Sequence, residues 1–438
     1  MNSLFSTCGR AEHFSRRSLL QGALGGGALW LTGLAERLAQ AELESSKRTS
    51  PRALIVLWLA GGPSQLETFD PHPNTKIGGD TRAISTSLKN VQIGSGLAQT
   101  ADLMDQLSLV RTVVSKEGDH ERATYNMKTG FRPDPTLVHP SVGAVLCHQT
   151  SDQIQIPRHI SILPGEAPAR GGYLGDQFDA FQIGDPRNPI PDVRRRVSPE
   201  RFERRLDDLF KVIEPEFSRG RLPDLDKNRT LHRYSILAAK RIMSSDQLKA
   251  FEVSDEPESV RDSFGDSPFG RGCLAAIRLI STGVRCVEVT LSGWDSHVNN
   301  HDAQHARIET LDPAFASLIR ELKRRDLFDN TIVLLGGEFG RTPRINTTAG
   351  RDHWPHGFSV VLAGGRIRRG TVYGETAPNP KMEESFWNKD LKKPRAVEDI
   401  FATIYRAFEI DFEHELNTPI GRPMAISTGR PIDEILAI

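Results

Sequence analysis

The chain has 438 residues, 38% hydrophobic and 26% charged, with 56 basic residues against 56 acidic ones. That balance excludes a nucleic-acid or polyanion binder driven by net charge, so no nucleic acid is expected as a partner. Four cysteines without a CxxC spacing exclude a disulfide framework or a zinc ribbon; Cys8 lies near the start, and Cys147, Cys273 and Cys286 are expected as buried structural thiols.

Residues 1–41 read as an export signal. Phe14-Ser15-Arg16-Arg17-Ser18-Leu19-Leu20 sets paired arginines before an apolar, glycine-rich run from Leu19 to Leu34. Ala39-Gln40-Ala41 supplies the small residues of a cleavage site. The run is too short and too rich in glycine to span a bilayer comfortably. The twin-arginine translocase is therefore an expected partner during export, and the periplasm or extracytoplasmic envelope the expected location. Residues 42–438 are expected to form the folded domain.

In that remainder, the apolar run Ala53–Leu59 stops at Gly61-Gly62-Pro63. Such a run predicts a central strand covered on both faces. Leu107–Val114 predicts a second strand, His139–Cys147 a helix, and Ile160–Leu163 a short strand. Residues 185–270 are rich in Arg, Asp, Glu and Pro. They predict a helical excursion, with helices over Pro199–Leu209 and Asn228–Met243. Strands resume with Val284–Leu291, Thr331–Leu335 and Phe358–Ala363. Between the first two of these, Asp302–Leu327 reads as a long amphipathic helix, with Ile308, Leu311, Phe315, Leu318, Ile319 and Leu322 on one face. Ala396–Phe408 predicts a terminal helix. Alternating strands and helices predict an α/β fold with a mostly parallel central sheet.

In such sheets functional residues collect beyond the carboxyl ends of strands. Six histidines (His120, His297, His301, His305, His353, His356) lie in or just after these loops, with Asp119, Glu121, Asp295, Glu338 and Asp352 beside them. Imidazole and carboxylate from several strand ends are the donors of a divalent metal site, zinc foremost, with manganese or calcium as alternatives. An ion there polarises a phosphoryl or sulfuryl oxygen or lowers the pKa of a bound water. Arg341 and Arg122 are candidates to clamp an anionic oxygen bidentately. Each element also has a plainer reading: Glu338 as a helix cap, Arg341 as a structural ion pair, Asp352-His353-Trp354 as loop ordering. Ser64 lacks the Gly-x-Ser-x-Gly setting of a nucleophile and reads as a small polar residue in a glycine turn.

Four motifs carry a resemblance. They are the segment Gly61-Gly62-Pro63-Ser64-Gln65-Leu66-Glu67-Thr68-Phe69-Asp70-Pro71, Trp294-Asp295-Ser296-His297, Gly337-Glu338-Phe339-Gly340-Arg341-Thr342-Pro343, and Gly350-Arg351-Asp352-His353-Trp354. With Thr418-Pro419-Ile420-Gly421-Arg422-Pro423 near the end, the chain resembles a large family of twin-arginine-exported bacterial proteins, the domain of unknown function 1501. The resemblance implies the alkaline phosphatase-like superfamily, with sulfatases and metal-dependent phosphomutases as relatives. It implies a three-layer α/β/α sandwich and, in active members, a two-metal site that hydrolyses a phosphate or sulfate ester. The substrate would be an anionic ester, including a sulfated or phosphorylated glycan, and envelope proteins would be possible partners.

Position by position, Gly61-Gly62 stands where the superfamily's first strand ends in a metal-binding Asp, so that Glu67 or Asp70 would have to compensate. His120 stands at the place of the Ser, Thr or Cys nucleophile, as nucleophile, ligand or general base. Asp295 with His297 matches an Asp and His metal pair. Glu338 stands where an Asp-His pair is expected, and His353, with His356, matches the late metal-binding His. Two functions remain open at this point: an exported metal-dependent hydrolase, or an envelope binding protein that has lost catalysis on the same fold.

Overall fold

The structure, a computed structural model, describes residues 52–150, 154–191, 193, 195–213, 239–243, 245–381 and 387–437. The export signal of residues 1–41 and most of the expected helix Asn228–Met243 lie outside the described residues; residues 239–243 are helical.

The chain folds around one nine-stranded sheet. Its strands are β1 (Ala53–Ala60), β2 (Leu107–Val114), β3 (His159–Ile162), β4 (Phe181–Ile183), β5 (Cys286–Ser292), β6 (Thr331–Gly336), β7 (Phe358–Gly364), β8 (Thr371–Tyr373) and β9 (Arg395–Ala396). The order is β8-β2-β7-β6-β1-β5-β3-β4, with β9 also paired to β2. Only β7 runs against its neighbours, so the sheet is mostly parallel, as the alternation of elements predicts.

The principal helices are α1 (His120–Thr129), α2 (Val142–Gln149), α3 (Pro199–Asp208), α4 (Pro268–Ser281), α5 (Asn300–Arg324) and α6 (Val397–Ala407). All but α3, which buries no residue, cover the two faces of the sheet. Ile55, Leu57 and Leu59 of β1 share one core with Phe269, Leu274 and Ile277 of α4 and Ile308, Phe315 and Leu322 of α5. Leu54, Val56 and Trp58 share the other with Met127 of α1, Val142 and Leu146 of α2, and Ile400 and Ile404 of α6. This period-two division explains why β1 reads as an unbroken apolar run. The result is a three-layer α/β/α sandwich.

The sequence reading missed β4, β8 and β9, which are two or three residues long. It also missed α4, which straddles the end of the expected excursion. Ser267 caps α4 through the backbone N–H of Gly270, and Pro268 opens it.

Candidate metal centre

The loops after β1, β2, β5 and β6 meet where the strand order reverses about β1. Asp119 caps α1, accepting from the backbone N–H of Arg122 at 3.2 Å, and so fixes His120 in the first turn. Asp295 and His297 follow β5, and Glu338 and Arg341 follow β6. His353 arrives through a short antiparallel ladder in which Gly340–Arg341 pairs with His353–Trp354. Gly61 follows β1 at φ +115°, and a Cβ there would stand 2.5 Å from the backbone nitrogen of Asp295. Only glycine fits, so the position where the resemblance expects an Asp has no room for a side chain.

Among the described residues, His120, Asp295 and His353 bring donor atoms within 4.8 Å of one another. His297 joins them, its Nε2 3.1 Å from Asp295 Oδ1 and 3.0 Å from His353 Nε2. His120 Nε2 and His353 Nε2 each lie 3.5 Å from the Asp295 carboxylate. The imidazoles and Asp295 are partly open to solvent, with side-chain exposures from 24% at His353 to 46% at Asp295, so a ligand can reach them.

Hydrogen-bond partners fix the tautomers. His120 Nδ1 is 2.7 Å from Glu338 Oε1, His297 Nδ1 is 3.0 Å from Asp352 Oδ1, and His353 Nδ1 is 2.8 Å from the Gly118 carbonyl oxygen. Carboxylate and carbonyl oxygens accept, so each Nδ1 carries a proton and each neutral ring keeps its lone pair on Nε2. The Nε2 atoms of His297 and His353 then face each other at 3.0 Å, a contact that a proton on one ring or a cation beside both would make favourable. Among the described residues His120 Nε2 and Glu338 Oε2 are buried without a hydrogen-bond partner. Ligands about 2.0–2.1 Å from a tetrahedral ion stand about 3.3 Å apart, close to the spacing of these donors. The residues present therefore fit a divalent transition-metal ion.

Electrostatics follow from the same contacts. The hydrogen bond to Glu338 raises the His120 pKa above the ordinary imidazole value, against the effect of burial. Burial pushes the Asp295 carboxyl up, but the hydrogen bond and charge of Arg341 together with nearby imidazoles bring it below 3.8. Burial lowers His353, and it lowers His356 further, to about 4.

Several expected site residues do other things. Arg341 is fully buried. Its Nε donates to the Gly62 carbonyl at 2.9 Å, its Nη1 to the Arg351 carbonyl at 3.1 Å, and its Nη2 to Asp295 Oδ1 at 2.6 Å and to the Gly61 carbonyl. With four of its five N–H groups consumed, it holds Asp295 and the glycine turn rather than clamping an outside anion. Arg122 forms a two-point pair with Glu117, at 2.7 and 3.1 Å. Glu338 stands behind His120 as its anchor and also accepts the Gly61 N–H at 2.8 Å. Asp70 is buried against Arg111, 3.3 Å away, and accepts from Thr376. Glu67 pairs with Arg351 at 3.1 Å, so neither acid replaces the missing Asp. Among the described residues, His356 is outside the group of three donors. Ser64 is fully buried and bonded to Glu67, as a small polar turn residue should be.

Phe339 was not singled out from the sequence. Its ring lies 5.0 Å from that of His120 and 4.4 Å from that of His353, walling one side of the cluster. An aromatic residue between Glu338 and Arg341 was the available signal. The anchoring roles of Asp352 and the Gly118 carbonyl had no signal, because they act on partners distant in sequence.

Among the described residues no helix is long and apolar enough to cross a membrane. No curated protein sequence matches the chain. Solved structures resemble it weakly. A sulfatase from Pseudoalteromonas sp. is 12% identical with a TM-score of 0.41, over 85% of this chain and 70% of that one. The alkaline phosphatase of the Antarctic bacterium TAB5 is 12% identical at 0.36, over 83% and 99%. A lipoteichoic acid synthase from Listeria monocytogenes is 11% identical at 0.35, over 82% and 72%. Similarity this low carries no inference about chemistry, and the fold rests on the sheet topology itself. A family match extends over residues 51–436, and the chain belongs to that family, described as protein of unknown function DUF1501.

Proposed function

We propose that this chain is an exported metal-dependent hydrolase of phosphate or sulfate esters, and that His120, Asp295, His297 and His353 hold the ion. The observation that carries this reading is the convergence of three imidazole Nε2 lone pairs on one carboxylate, each ring fixed by an oxygen on Nδ1. Three imidazoles and one carboxylate suit zinc better than manganese, and better still than calcium, which takes oxygen ligands. When bound, such an ion supplies Lewis-acid polarisation of an ester oxygen.

The chain's own residues do the rest. Glu338, Asp352 and the Gly118 carbonyl hold the three Nδ1 protons and so aim the three Nε2 atoms. Arg341 orients Asp295, and Phe339 excludes water from one side. The ester class rests on the resemblance of the loop motifs to the domain of unknown function 1501 family and on the alkaline phosphatase-like superfamily it implies, as does a sulfated or phosphorylated glycan as substrate. Export to the periplasm rests on the paired arginines, apolar run and small residues within residues 1–41.

One observation favours a second reading, a non-catalytic envelope protein that binds glycans. His120 occupies the helix position where the superfamily places a hydroxyl or thiol, and the turn at Gly61 admits no Asp.

The test begins with elemental analysis of protein purified without chelator, beside His353→Ala. One or two equivalents of a transition metal in the wild type, lost in the variant, are expected. A panel of aryl phosphates and aryl sulfates, with and without zinc, manganese or calcium, then separates the readings. Turnover that tracks metal supports the hydrolase, and glycan binding without turnover supports the binder. A folded protein that takes up none of the three ions overturns the metal centre.

A further inference from the structure

Helix α1 carries His120 in its first turn, yet little apolar packing fixes where that helix sits. Of its ten residues only Ala123 and Met127 are buried apolar side chains. Hydrophobic contact is non-directional and tolerates small slides. Asn126 Oδ1 accepts from Ser115 Oγ at 3.1 Å, but this ties α1 only to the exit of the preceding strand β2.

His120 itself is held by Glu338, and the Tyr125 hydroxyl accepts from the His139 N–H at 2.6 Å; the long-range tie buried at both ends is Lys128, in the last turn. Its side chain is 8% exposed, and that of its partner Glu288 is 4% exposed. Lys128 Nζ donates to Glu288 Oε1 at 2.8 Å and to the Ala167 carbonyl at 2.6 Å. It also stands 5.1 Å above the ring of Trp58. Glu288 Oε1 further accepts from Ser161 Oγ at 3.0 Å. One ammonium thus engages β1, β5 and the segment after β3, while its carboxylate partner engages β3. Moving α1 by one residue, about 1.5 Å of rise and 100° of rotation, would break all of these contacts.

A buried ion pair is a poor source of stability, because desolvation offsets its attraction and apolar residues of the same volume do as well or better. Its directional contacts make it a device of register. The two partners belong to the two elements that carry the site: α1 begins with His120, and β5 leads into Asp295.

We propose that Lys128 and Glu288 are positioning residues of the metal centre, their buried pair setting His120 against Asp295. The proposal rests on the reading of the cluster as a metal site. Neither residue touches the ion or substrate; the pair acts through the placement of α1 on β5.

Cobalt(II) titration reads the geometry directly, because the intensity and position of its visible absorption bands report coordination. The proteins to compare are the wild type, Lys128→Met/Glu288→Leu, and Ile404→Ala, a buried residue of α6 in the same core layer. The double variant is expected to keep its circular dichroism and thermal midpoint. It should bind cobalt at least about tenfold more weakly, with altered bands, a loss at the lower end of what outer-shell changes cost metal sites. Ile404→Ala is expected to lower the midpoint and leave the bands unchanged, which separates positioning from general destabilisation.

A folded double variant with wild-type affinity and bands overturns the proposal while leaving the metal centre intact. If the double variant does not fold, Lys128→Met/Glu288→Gln, which likewise leaves no buried charge, carries the same expectation and the same refutation. A wild type that binds no cobalt removes the metal reading itself, and the positioning role with it.

Discussion

Two polar clusters occupy the carboxyl ends of the central strands, each gathered about one carboxylate. In the first, behind the glycine turn, Glu67 Oε1 accepts from Arg351 Nη2 at 3.1 Å and from Thr81 Oγ1 at 3.1 Å, while its Oε2 accepts from Ser64. Arg351 spends its remaining donors on the carbonyls of Ile77, Thr342 and Pro343. In the second, His120, His297 and His353 spend only Nδ1 on the protein and turn Nε2 toward Asp295. An imidazole beside a carboxylate does not by itself separate a strut from a site, since His301 Nδ1 lies 3.4 Å from Glu67 Oε1. Satisfaction does: the first cluster closes on itself, and the second keeps donor capacity in reserve.

The comparison breaks or sharpens by substitution. The largest effect is expected from Glu67→Ala, which strands the fully buried Arg351 guanidinium. Breaking such a pair costs about 3–5 kcal/mol, visible in the urea midpoint. Metal uptake of the remaining folded fraction should be unchanged; a folded variant that has lost metal would place Glu67 in the second cluster.

Glu338→Gln is expected to do the reverse. Gln can still accept from His120 but no longer enforces an Nδ1 donor, and loss of such an anchor typically weakens metal affinity about 10–100-fold. Circular dichroism should hold, and isothermal titration with zinc checks the affinity. Unchanged zinc affinity would reduce Glu338 to a strut.

Asp70 gives a smaller, pH-dependent effect. Burial raises its carboxyl above 3.8, outweighing the opposing charge of Arg111. A carboxyl raised in the fold contributes stability that is full below its unfolded pKa and is lost as pH rises through its folded pKa. Asp70→Asn removes that dependence. As pH falls toward 3.8 the stability difference should therefore shift toward the wild type, as read from urea midpoints. A constant difference would mean that Asp70 stays ionised in the fold.

The smallest effect belongs to Arg122→Ala. Its side chain is half exposed and bound to Glu117, so zinc affinity and turnover should be unchanged. A loss of either would return Arg122 to the site.

Much of the architecture was legible because β1, β2, β5, β6 and β7 are long enough to bury apolar runs. The edge strands β4 and β8 and the two-residue β9 are too short to show a period. Helix α4 was hidden differently: the charged stretch before it drew the boundary past its start, although Ser267 and Pro268 form an ordinary helix opening. For the candidate site, position after a strand pointed to loops that the fold brings together at His120, Asp295 and His353. It did not say which polar residue turns inward. Arg341 and Glu338 looked like a clamp and a ligand, but Arg341 donates to Asp295, Glu338 accepts from His120 and Gly61, and the ladder Gly340–Arg341 with His353–Trp354 sets Arg341 beside His353. That ladder is a tertiary pairing, and no local spacing encodes it.

The placement of β1 also has a consequence for how the chain is made. β1 pairs only with β5 and β6, and the Gly61 N–H reaches Glu338, 277 residues downstream. At about 5–20 residues per second, a ribosome leaves that strand without partners for tens of seconds. Its apolar run therefore stays unpaired on the nascent chain for that time, and contacts this distant in sequence form slowly. The proposed metal centre spans His120 to His353, so its donors come together only near the end of synthesis and its loading would belong to the completed chain.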